Sequence, residues 1–269
     1  MPADQDDILR LTVSGLEGGL QVLHVAATDL KICDADADVQ TVLDDSSLAG
    51  FDQIPVKDKC RIVGVLERRK RSMSGTVRQH MRPLDDTLLI SASAPLTRVL
   101  TSLTETSYRL VIKDTDIVGI VTPSDFAKLP VRLFAFCLIT HLEMVMARLI
   151  RAKELNGEAL LDLLPETRRK PLRDRLQQRK KENMQLPLLE VTGFFDKALV
   201  LSRVMAVDDH FLGAMARIKK LRDKIAHPLP YADNQQQLID FTEVLEQAQL
   251  WIARLGGKAT VVQAALAAL

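Results

Sequence analysis

Apolar and polar positions follow two different patterns along this chain. In the first half, short β-branched runs alternate with Asp-containing turns, which is typical of strands. The strands predicted in this way cover residues 53–56, 61–66, 108–112 and 117–121. From Val131 onward the apolar spacing is helical, and no run predicts a strand. One helix is predicted over about 189–207 and another over about 234–255, stopped by the glycines at 256–257. The pattern therefore predicts an α/β module over residues 1–130, followed by an all-α helical bundle over residues 131–269.

The predicted strands of the first half belong to two copies of one unit. In each copy a helical stretch, at residues 38–45 or 95–103, precedes two strands and their turn. Gly64 and Gly119 hold the same place in the two copies, 55 residues apart. A repeat of this period indicates a duplicated supersecondary unit, with copies at about 10–75 and 80–130.

The repeat contains a recognisable motif at its end. The order of helix, strand, turn and Ile-Val-Gly-Ile-Val-Thr-Pro-Ser-Asp resembles a pair of cystathionine-β-synthase-type (CBS) domains over roughly residues 10–130. The resemblance implies clefts between the copies and an adenine nucleotide, such as AMP or ATP, as regulatory ligand. It also implies that Thr122 and Asp125 hold the ribose, because a carboxylate can accept both hydroxyls. The alternative is that Thr122 only caps a helix beginning at Pro123.

The first copy departs from this motif. Aligning the two glycines places Glu67 opposite Thr122 and Lys70 opposite Asp125. The basic run over residues 67–71 fits either phosphate contacts or a solvated face. We therefore expect at most one adenosine site, in the second copy.

Charge is distributed unevenly between the two halves. Residues 1–130 contain 15 Lys and Arg against 19 Asp and Glu, whereas residues 131–269 contain 21 against 16. A polyanionic partner is therefore expected on the second half. The three cysteines lie far apart, and no Cys-x-x-Cys pair indicates a zinc site or a disulfide framework.

The longest apolar stretch does not indicate a membrane protein. Residues 133–150 include His141, Glu143 and Arg148, which suits a buried helix better than a membrane span. The acidic start of the chain differs from the basic start of a signal peptide. We therefore expect a cytoplasmic protein without a membrane partner.

A short motif with chemical potential ends one predicted helix. In Leu-Arg-Asp-Lys-Ile-Ala-His-Pro, Arg222 keeps its charge while His227 is of the type that titrates near neutrality. Five residues along an ideal helix separate two side chains by about 140°. The pair converges only if the helix ends near Ala226 or if a symmetric dimer joins two copies. The simpler interpretation is that Arg222 and Lys224 complement the helix dipole and His227 caps it.

This motif within a helical bundle resembles the HEPN superfamily (higher eukaryotes and prokaryotes nucleotide-binding). The resemblance implies a metal-independent endoribonuclease that acts as a homodimer, in which Arg222 stabilises the transition state and His227 transfers a proton. Asp223 departs from the family's usual polar residue, and its charge would repel phosphate unless it is paired. Glu143 is a candidate partner that positions Arg222; the alternative places it on a solvated edge.

A basic segment lies between these features. Eight of the fourteen residues 168–181 are Lys or Arg, a density that suits phosphate contacts along RNA. The segment has no aromatic residue for base stacking, and a solvated helix is the alternative. The candidates for RNA contact are Arg168, Arg169, Lys170, Arg173 and Arg175.

The sequence thus predicts an adenine-nucleotide-sensing CBS module that regulates a HEPN-like, metal-independent endoribonuclease. The alternative is a non-enzymatic regulatory or assembly protein that senses a ligand, with a helical domain that dimerises or binds RNA.

Overall fold

The computed structural model describes residues 14–15, 18–68, 73–155, 157–182, 187–207, 209–227 and 231–267, with side chains as far as residue 257. The chain divides into two compact units. The α/β unit comprises residues 17–130 together with 232–238, and the helical unit comprises the remaining residues.

The α/β unit consists of two similar sets of short elements. Its strands are β1 (Cys33–Asp34), β2 (Gln53–Asp58), β3 (Arg61–Glu67), β4 (Arg82–Pro83), β5 (Leu89–Ser91), β6 (Arg109–Lys113) and β7 (Asp116–Val121). Its α-helices are α1 (Val39–Asp44), α2 (Val77–His80) and α3 (Leu96–Glu105), and short 3-10 helices cover Val22–His24, Asp86–Leu88 and Pro123–Ala127. The four strands and two helices predicted from the sequence are confirmed.

The strands form two sheets with the same internal order. One sheet has the order β1-β2-β3-β4 and the other β5-β6-β7, each with one parallel pair followed by an antiparallel hairpin. The hairpins shift register after Val56 and after Val111. Their turns contain Lys59 and Asp114, with φ of 54° and 56°. Both pairs of positions are 55 residues apart, so the predicted repeat is confirmed in the backbone.

The first extended segment of each copy pairs with a strand in the sheet of the other copy. β4, which opens the second copy, pairs with β3 of the first, while Ala27 of the first copy bridges to Ile120 in β7. A Cβ atom on Gly64 would lie 2.4 Å from the Arg82 carbonyl oxygen, and one on Gly119 would lie 3.0 Å from that of Ala27. The two glycines therefore permit the close backbone approach on which this exchange depends.

Apolar residues at the expected spacings fill the core of the α/β unit. Helix α1 begins where the Asp38 carboxylate accepts a hydrogen bond from the Thr41 amide at 2.9 Å. Helix α3 buries one face through Val99 and Leu103, which pack at helical spacing. These local signals explain why the sequence was sufficient to place the elements.

The helical unit contains helices only among its described residues. They are α4 (Leu129–Arg151), α5 (Gly157–Asp162), α6 (Glu166–Lys181), α7 (Leu188–Val191), α8 (Phe194–Val204), α9 (Phe211–Ala226) and α10 (Gln235–Ala267). The first two residues of α4 and the first four of α10 belong to the α/β unit.

Two helix boundaries differ from the sequence prediction. One helix was predicted over residues 189–207, but Thr192 and Gly193 separate α7 from α8. Gly193 has extended backbone and donates its amide to Asp196 at 3.0 Å, so it caps a new helix. A stop was predicted at residues 256–257, but α10 continues to Ala267. Glycine costs only about 1 kcal/mol in a helix interior, and the alanine-rich continuation favours helix.

Helix α4 is the one helix in the described part of the chain that is long and apolar enough to cross a membrane. Within the protein, however, 61% of its most apolar window is buried. Leu138, Leu142, Val145 and Leu149 lie at helical spacing and are at most 2% exposed. This is the packing of a core helix.

Candidate functional site

Thr122 and Asp125 form a capping box directly after β7. The Asp125 carboxylate accepts hydrogen bonds from the Thr122 amide at 2.7 Å and from the Thr122 hydroxyl at 3.0 Å. Its other oxygen lies 2.8 Å from the Lys128 ammonium group. The capping interpretation therefore describes the local geometry. A carboxylate offers about four lone-pair positions, so these three contacts leave one for a ligand hydroxyl.

A cavity of about 460 Å³ lies against this capping box, within the α/β unit. Its volume is in the range of small-molecule sites, which is about 300–1,000 Å³. Residues from both copies and from the segment before α10 contribute to its walls. They include Ala27, Gly50, Phe51, Asp52, Gln53, Ser107, Ile120, Thr122, Ser124, Asp125, Asp233, Asn234 and Gln235.

Two parts of the cavity wall were missed from the sequence. Phe51 is 41% exposed and lines the cavity, so its ring is a candidate apolar face on which a base could stack. Asn234 accepts a hydrogen bond from the Gln237 amide at 2.9 Å and thereby caps α10. Gln235 donates to the Thr104 carbonyl oxygen at 2.9 Å, which attaches the start of α10 to the end of α3. In the sequence, the one signal that points to this region is an aromatic residue directly after a glycine, in Gly50-Phe51.

The corresponding position in the first copy has a different role. Glu67 accepts a hydrogen bond from the Tyr108 hydroxyl at 3.0 Å. The Arg68 guanidinium group donates to the carbonyl oxygens of Leu43 at 2.7 Å and Leu48 at 3.0 Å, so it holds the loop after α1. Lys70, like residues 69 and 71 of the basic run, lies outside the described residues.

Glu143 is an ion-pair centre in the helical unit. One carboxylate oxygen accepts a hydrogen bond from Lys197 of α8 at 2.9 Å, and the other lies 3.7 Å from the Arg222 guanidinium group of α9. The Glu143 side chain is 19% exposed and that of Lys197 only 8%. Glu143 is therefore a largely buried partner of Arg222, and Lys197 is a closer partner that the sequence did not reveal.

These side chains line a second cavity, of about 620 Å³, within the helical unit. We call it the basic cleft. Helices α4, α6, α7, α8 and α9 all contribute to it. Its charged lining residues are Glu143, Arg151, Arg175, Arg179, Glu190, Lys197 and Arg222, and its polar ones include Thr140, Thr192 and Gly193.

His227 is placed differently from Arg222. Helix α9 ends at Ala226, which is one of the two arrangements that the spacing allowed, and His227 follows in extended backbone with φ of −117° and ψ of 157°. Arg132 of α4 donates to the His227 carbonyl oxygen at 2.9 Å and to that of Ile225 at 3.2 Å. The described residues lining the basic cleft include Arg222 but not His227. The prolines at 228 and 230 lie outside the described residues.

The carboxylate of Asp223 is paired within its own helix. Its carboxylate accepts a hydrogen bond at 2.6 Å from Lys219, one helical turn earlier on α9. Both side chains are about half exposed, so this is a surface ion pair. It partly neutralises the charge that departs from the HEPN pattern.

Two of the candidate RNA-binding residues hold the bundle together. Arg168 donates two hydrogen bonds, at 2.8 and 2.7 Å, to the buried carboxylate of Asp196. Burial alone would raise the pKa of Asp196, but the hydrogen bonds from Arg168 and the Gly193 amide lower it below its ordinary value. Arg169 donates to the Leu164 carbonyl oxygen at 3.0 Å. The sequence could not distinguish these roles from contact with RNA.

The other three candidates lie nearer the solvent on α6. Arg173 pairs with Glu158 at 2.9 Å on the surface, and Lys170 is exposed. Arg175 donates to the Val191 carbonyl oxygen at 3.2 Å and lines the basic cleft. Only Arg175 of the five therefore shares a cavity with Arg222.

Comparison with known families identifies part of the α/β unit. Residues 77–132 match the family model of the CBS domain, and this range contains the capping box and β7. No curated protein matches the chain. Residues 77–132 are thus similar to a CBS domain, while the HEPN resemblance rests on its sequence motif.

Solved structures of CBS proteins are similar to part of the chain. A conserved CBS domain protein of unknown function from Thermoplasma acidophilum is 18% identical, with a TM-score of 0.36, over 43% of this chain and 75% of that one. The CBS domain of a bacterial CNNM/CorC family Mg²⁺ transporter in complex with ATP is 16% identical, with a TM-score of 0.36, over 45% and 94%. CBSX2 in complex with AMP is 20% identical, with a TM-score of 0.35, over 40% and 92%.

Proposed function

We propose that this protein is a ligand-responsive regulator in which the CBS module binds an adenine nucleotide and thereby controls the helical unit. The observation that carries the proposal is the cavity of about 460 Å³ that brings Phe51 and Asp125 together. The Phe51 ring provides a stacking face for adenine, and the Asp125 carboxylate accepts a hydrogen bond from a ribose hydroxyl. Thr122 lines the same cavity and would contact the same ribose.

Two chain connections offer a route from the ligand to the helices. Asp125 shares its carboxylate with Lys128, which immediately precedes α4. A ribose hydroxyl that donates to the remaining lone pair of Asp125 would share the carboxylate charge and thereby weaken this ion pair at the start of α4. Asn234 lines the same cavity and caps α10. A bound nucleotide therefore favours one arrangement of both helix starts, provided that it binds the two arrangements with different affinities.

Calorimetric titration of the full chain with AMP, ADP and ATP tests the binding site. Phe51→Ala should weaken binding by about tenfold, because stacking of one base contributes about 1–3 kcal/mol. Phe136→Ala is a matched control, since Phe136 is also a phenylalanine, is 40% exposed and does not line the cavity. Equal affinities for the two variants, or no binding to the parent protein, would contradict the proposal.

A second candidate function is metal-independent endoribonuclease activity of a HEPN-like dimer. The end of α9 at Ala226 favours it, because it removes the helical separation of about 140° that would keep Arg222 and His227 apart on one continuous helix. Since His227 does not line the cleft of Arg222 in one chain, the candidate reaction uses a symmetric partner to complete the pair. Arg222 would stabilise the charged transition state and His227 would transfer the proton.

An RNase assay in EDTA, with and without AMP, tests this second function and its regulation. Arg222→Ala and His227→Ala should each lower the cleavage rate by at least about a hundredfold. Arg217→Ala is the control, because Arg217 lies on the same helix in an exposed pair with Glu243. If the parent cleaves no RNA, the helical unit acts by binding or assembly.

A further inference from the structure

The basic cleft of the helical unit has a positive charge that its own carboxylates do not balance. Five of its lining residues are Lys or Arg, whereas two are Glu. The cations come from four different helices, so the excess of positive charge does not arise from one solvated helix face. They are Arg151 of α4, Arg175 and Arg179 of α6, Lys197 of α8 and Arg222 of α9.

The ion pairs within the cleft leave part of this charge available. Glu143 is shared between Lys197 and Arg222, so one carboxylate serves two cations. Arg151 pairs with Glu190, and Arg179 lies 3.8 Å from Glu182. Arg175, by contrast, donates to the carbonyl oxygen of Val191, which is a neutral acceptor. The Lys197 side chain is only 8% exposed, and a charge so deep is less screened by solvent than a surface charge. The cleft is therefore suited to an anion.

The remaining lining residues define what kind of anion fits. None of the described residues that line the cleft is aromatic, so it offers no stacking face for a base. Thr140 provides a hydroxyl group, whereas the Thr192 hydroxyl and the Gly193 amide already donate to the Leu189 carbonyl oxygen and to Asp196. The volume of about 620 Å³ accommodates a small ligand. The chemistry fits phosphate groups without a base.

We propose that the basic cleft is a second ligand site, which binds a compact polyphosphate anion through Arg175, Arg179, Lys197 and Arg222. This site lies in the helical unit and is separate from the nucleotide cavity of the CBS module. It uses no part of His227, so its occupation does not depend on RNA cleavage. A phosphate chain on its own and the phosphate chain of a nucleotide share the chemistry that the cleft recognises.

Titration of the full chain with inorganic tripolyphosphate in EDTA tests the proposal. Arg179→Ala and Arg175→Ala should each weaken binding at least about tenfold, because hydrogen bonds to charged groups are among the stronger ones. Arg173→Ala is the matched control, since Arg173 lies on the same helix, pairs with Glu158 on the surface and does not line the cleft. Arg179 is exposed and its ion pair with Glu182 lies at the surface, so its loss should cost little stability.

The outcomes separate this site from the other two proposed functions. If ATP competes with tripolyphosphate and AMP does not, the ligand is the phosphate chain of a nucleotide. If neither nucleotide competes, the ligand is a free polyphosphate. No binding of tripolyphosphate, or equal effects of Arg179→Ala and Arg173→Ala, overturns the proposal. Binding of single-stranded RNA in place of tripolyphosphate, lost in Arg179→Ala, also overturns it and makes the cleft an RNA groove. AMP binding by the CBS module is measured independently of all these results.

Discussion

Lys197 donates a 2.9 Å hydrogen bond to Glu143, and this contact joins α8 to α4 in the interior of the helical unit. The same Glu143 carboxylate lies 3.7 Å from Arg222 of α9. Three helices therefore meet at one carboxylate, which supports the bundle and also orients two cations of the basic cleft.

Glu143→Gln should destabilise the protein strongly. It removes the negative charge and leaves Lys197, with a side chain only 8% exposed, as an unpaired buried cation. Breaking a buried pair in this way costs about 3–5 kcal/mol, and we expect about 3 because Glu143 is partly exposed. Urea unfolding of the parent and the variant measures the change in the free energy of unfolding. Asp223→Asn breaks a half-exposed pair on α9 and should cost less than about 1 kcal/mol; equal losses would argue against the buried role.

Asp196 should make the stability of the protein fall at acid pH. Burial opposes its ionisation, but Arg168 and the Gly193 amide lower its pKa below the ordinary value of 3.8. A group with a lowered pKa contributes stability above its unfolded pKa and loses it as the pH falls through the folded value. Free energies of unfolding measured between pH 7 and pH 2.5 should therefore fall below about pH 4. In Asp196→Asn this part of the pH dependence should be absent, and an unchanged profile would contradict the assignment.

Alanine in place of Gly64 should disturb the pairing of β3 with β4. Its Cβ atom would lie 2.4 Å from the Arg82 carbonyl oxygen, so the backbone must move, and overpacking of this kind costs about 1–3 kcal/mol. Gly119→Ala has a tight contact of 3.0 Å with the Ala27 carbonyl oxygen and should cost less. Gly50→Ala meets no atom within 4 Å and serves as the control. Thermal unfolding of the three variants should follow this order; a Gly50→Ala loss as large as that of Gly64→Ala would contradict it.

Asn234 should contribute separately to helix capping and to nucleotide binding. Asn234→Ala removes the acceptor of the Gln237 amide, so the free energy of unfolding should fall by about 1 kcal/mol. Asn234→Ser retains a capping oxygen and should recover most of this loss. Both variants change the wall of the nucleotide cavity and should weaken AMP binding in a calorimetric titration. Unchanged AMP affinity in Asn234→Ala would show that the start of α10 does not contact the ligand.

The two tyrosines should resist ionisation until the protein unfolds. Burial and the neighbouring Glu67 carboxylate raise the pKa of Tyr108 above its usual range. Burial raises the pKa of Tyr231 to about 12, although the positive charge of Arg132 opposes the rise. Because both groups are neutral in the folded state, they contribute stability below pH 10 that is lost as the pH rises further. Tyrosinate absorbance should therefore increase together with loss of circular dichroism; an earlier increase would place a tyrosine at the surface.

Local patterns explain which parts of the fold could be predicted from the sequence. β2, β3, β6 and β7 are runs of five to seven residues with β-branched side chains, and the 55-residue repeat follows from their glycines. β1 and β4 have two residues each, too few to establish a period. The exchange of first segments between the copies depends on pairings that no local pattern encodes. The low helix propensity of Gly256 predicts a helix end there, but the surrounding residues favour the helix strongly enough for α10 to continue.

The same distinction applies to the candidate sites. Thr122 and Asp125 are three residues apart, so one motif was sufficient to find them. Phe51 and Asn234 reach the same cavity from positions about 70 residues before and 110 residues after the motif. Glu143 was suspected because a carboxylate stood on an apolar helix face. Its nearest partner, Lys197, is 54 residues away and could be found only from the folded chain.

The exchange of first segments means that the repeat unit and the folding unit of the α/β module have different boundaries. A chain cut near residue 76 would leave each half without the segment that covers its glycine-containing strand, at Gly64 or Gly119. Each half alone would present an open sheet edge, which is a template for unwanted pairing. Since each half carries the segment that the other lacks, the two fragments are complementary, and the intact module behaves as an intramolecular dimer of its own halves.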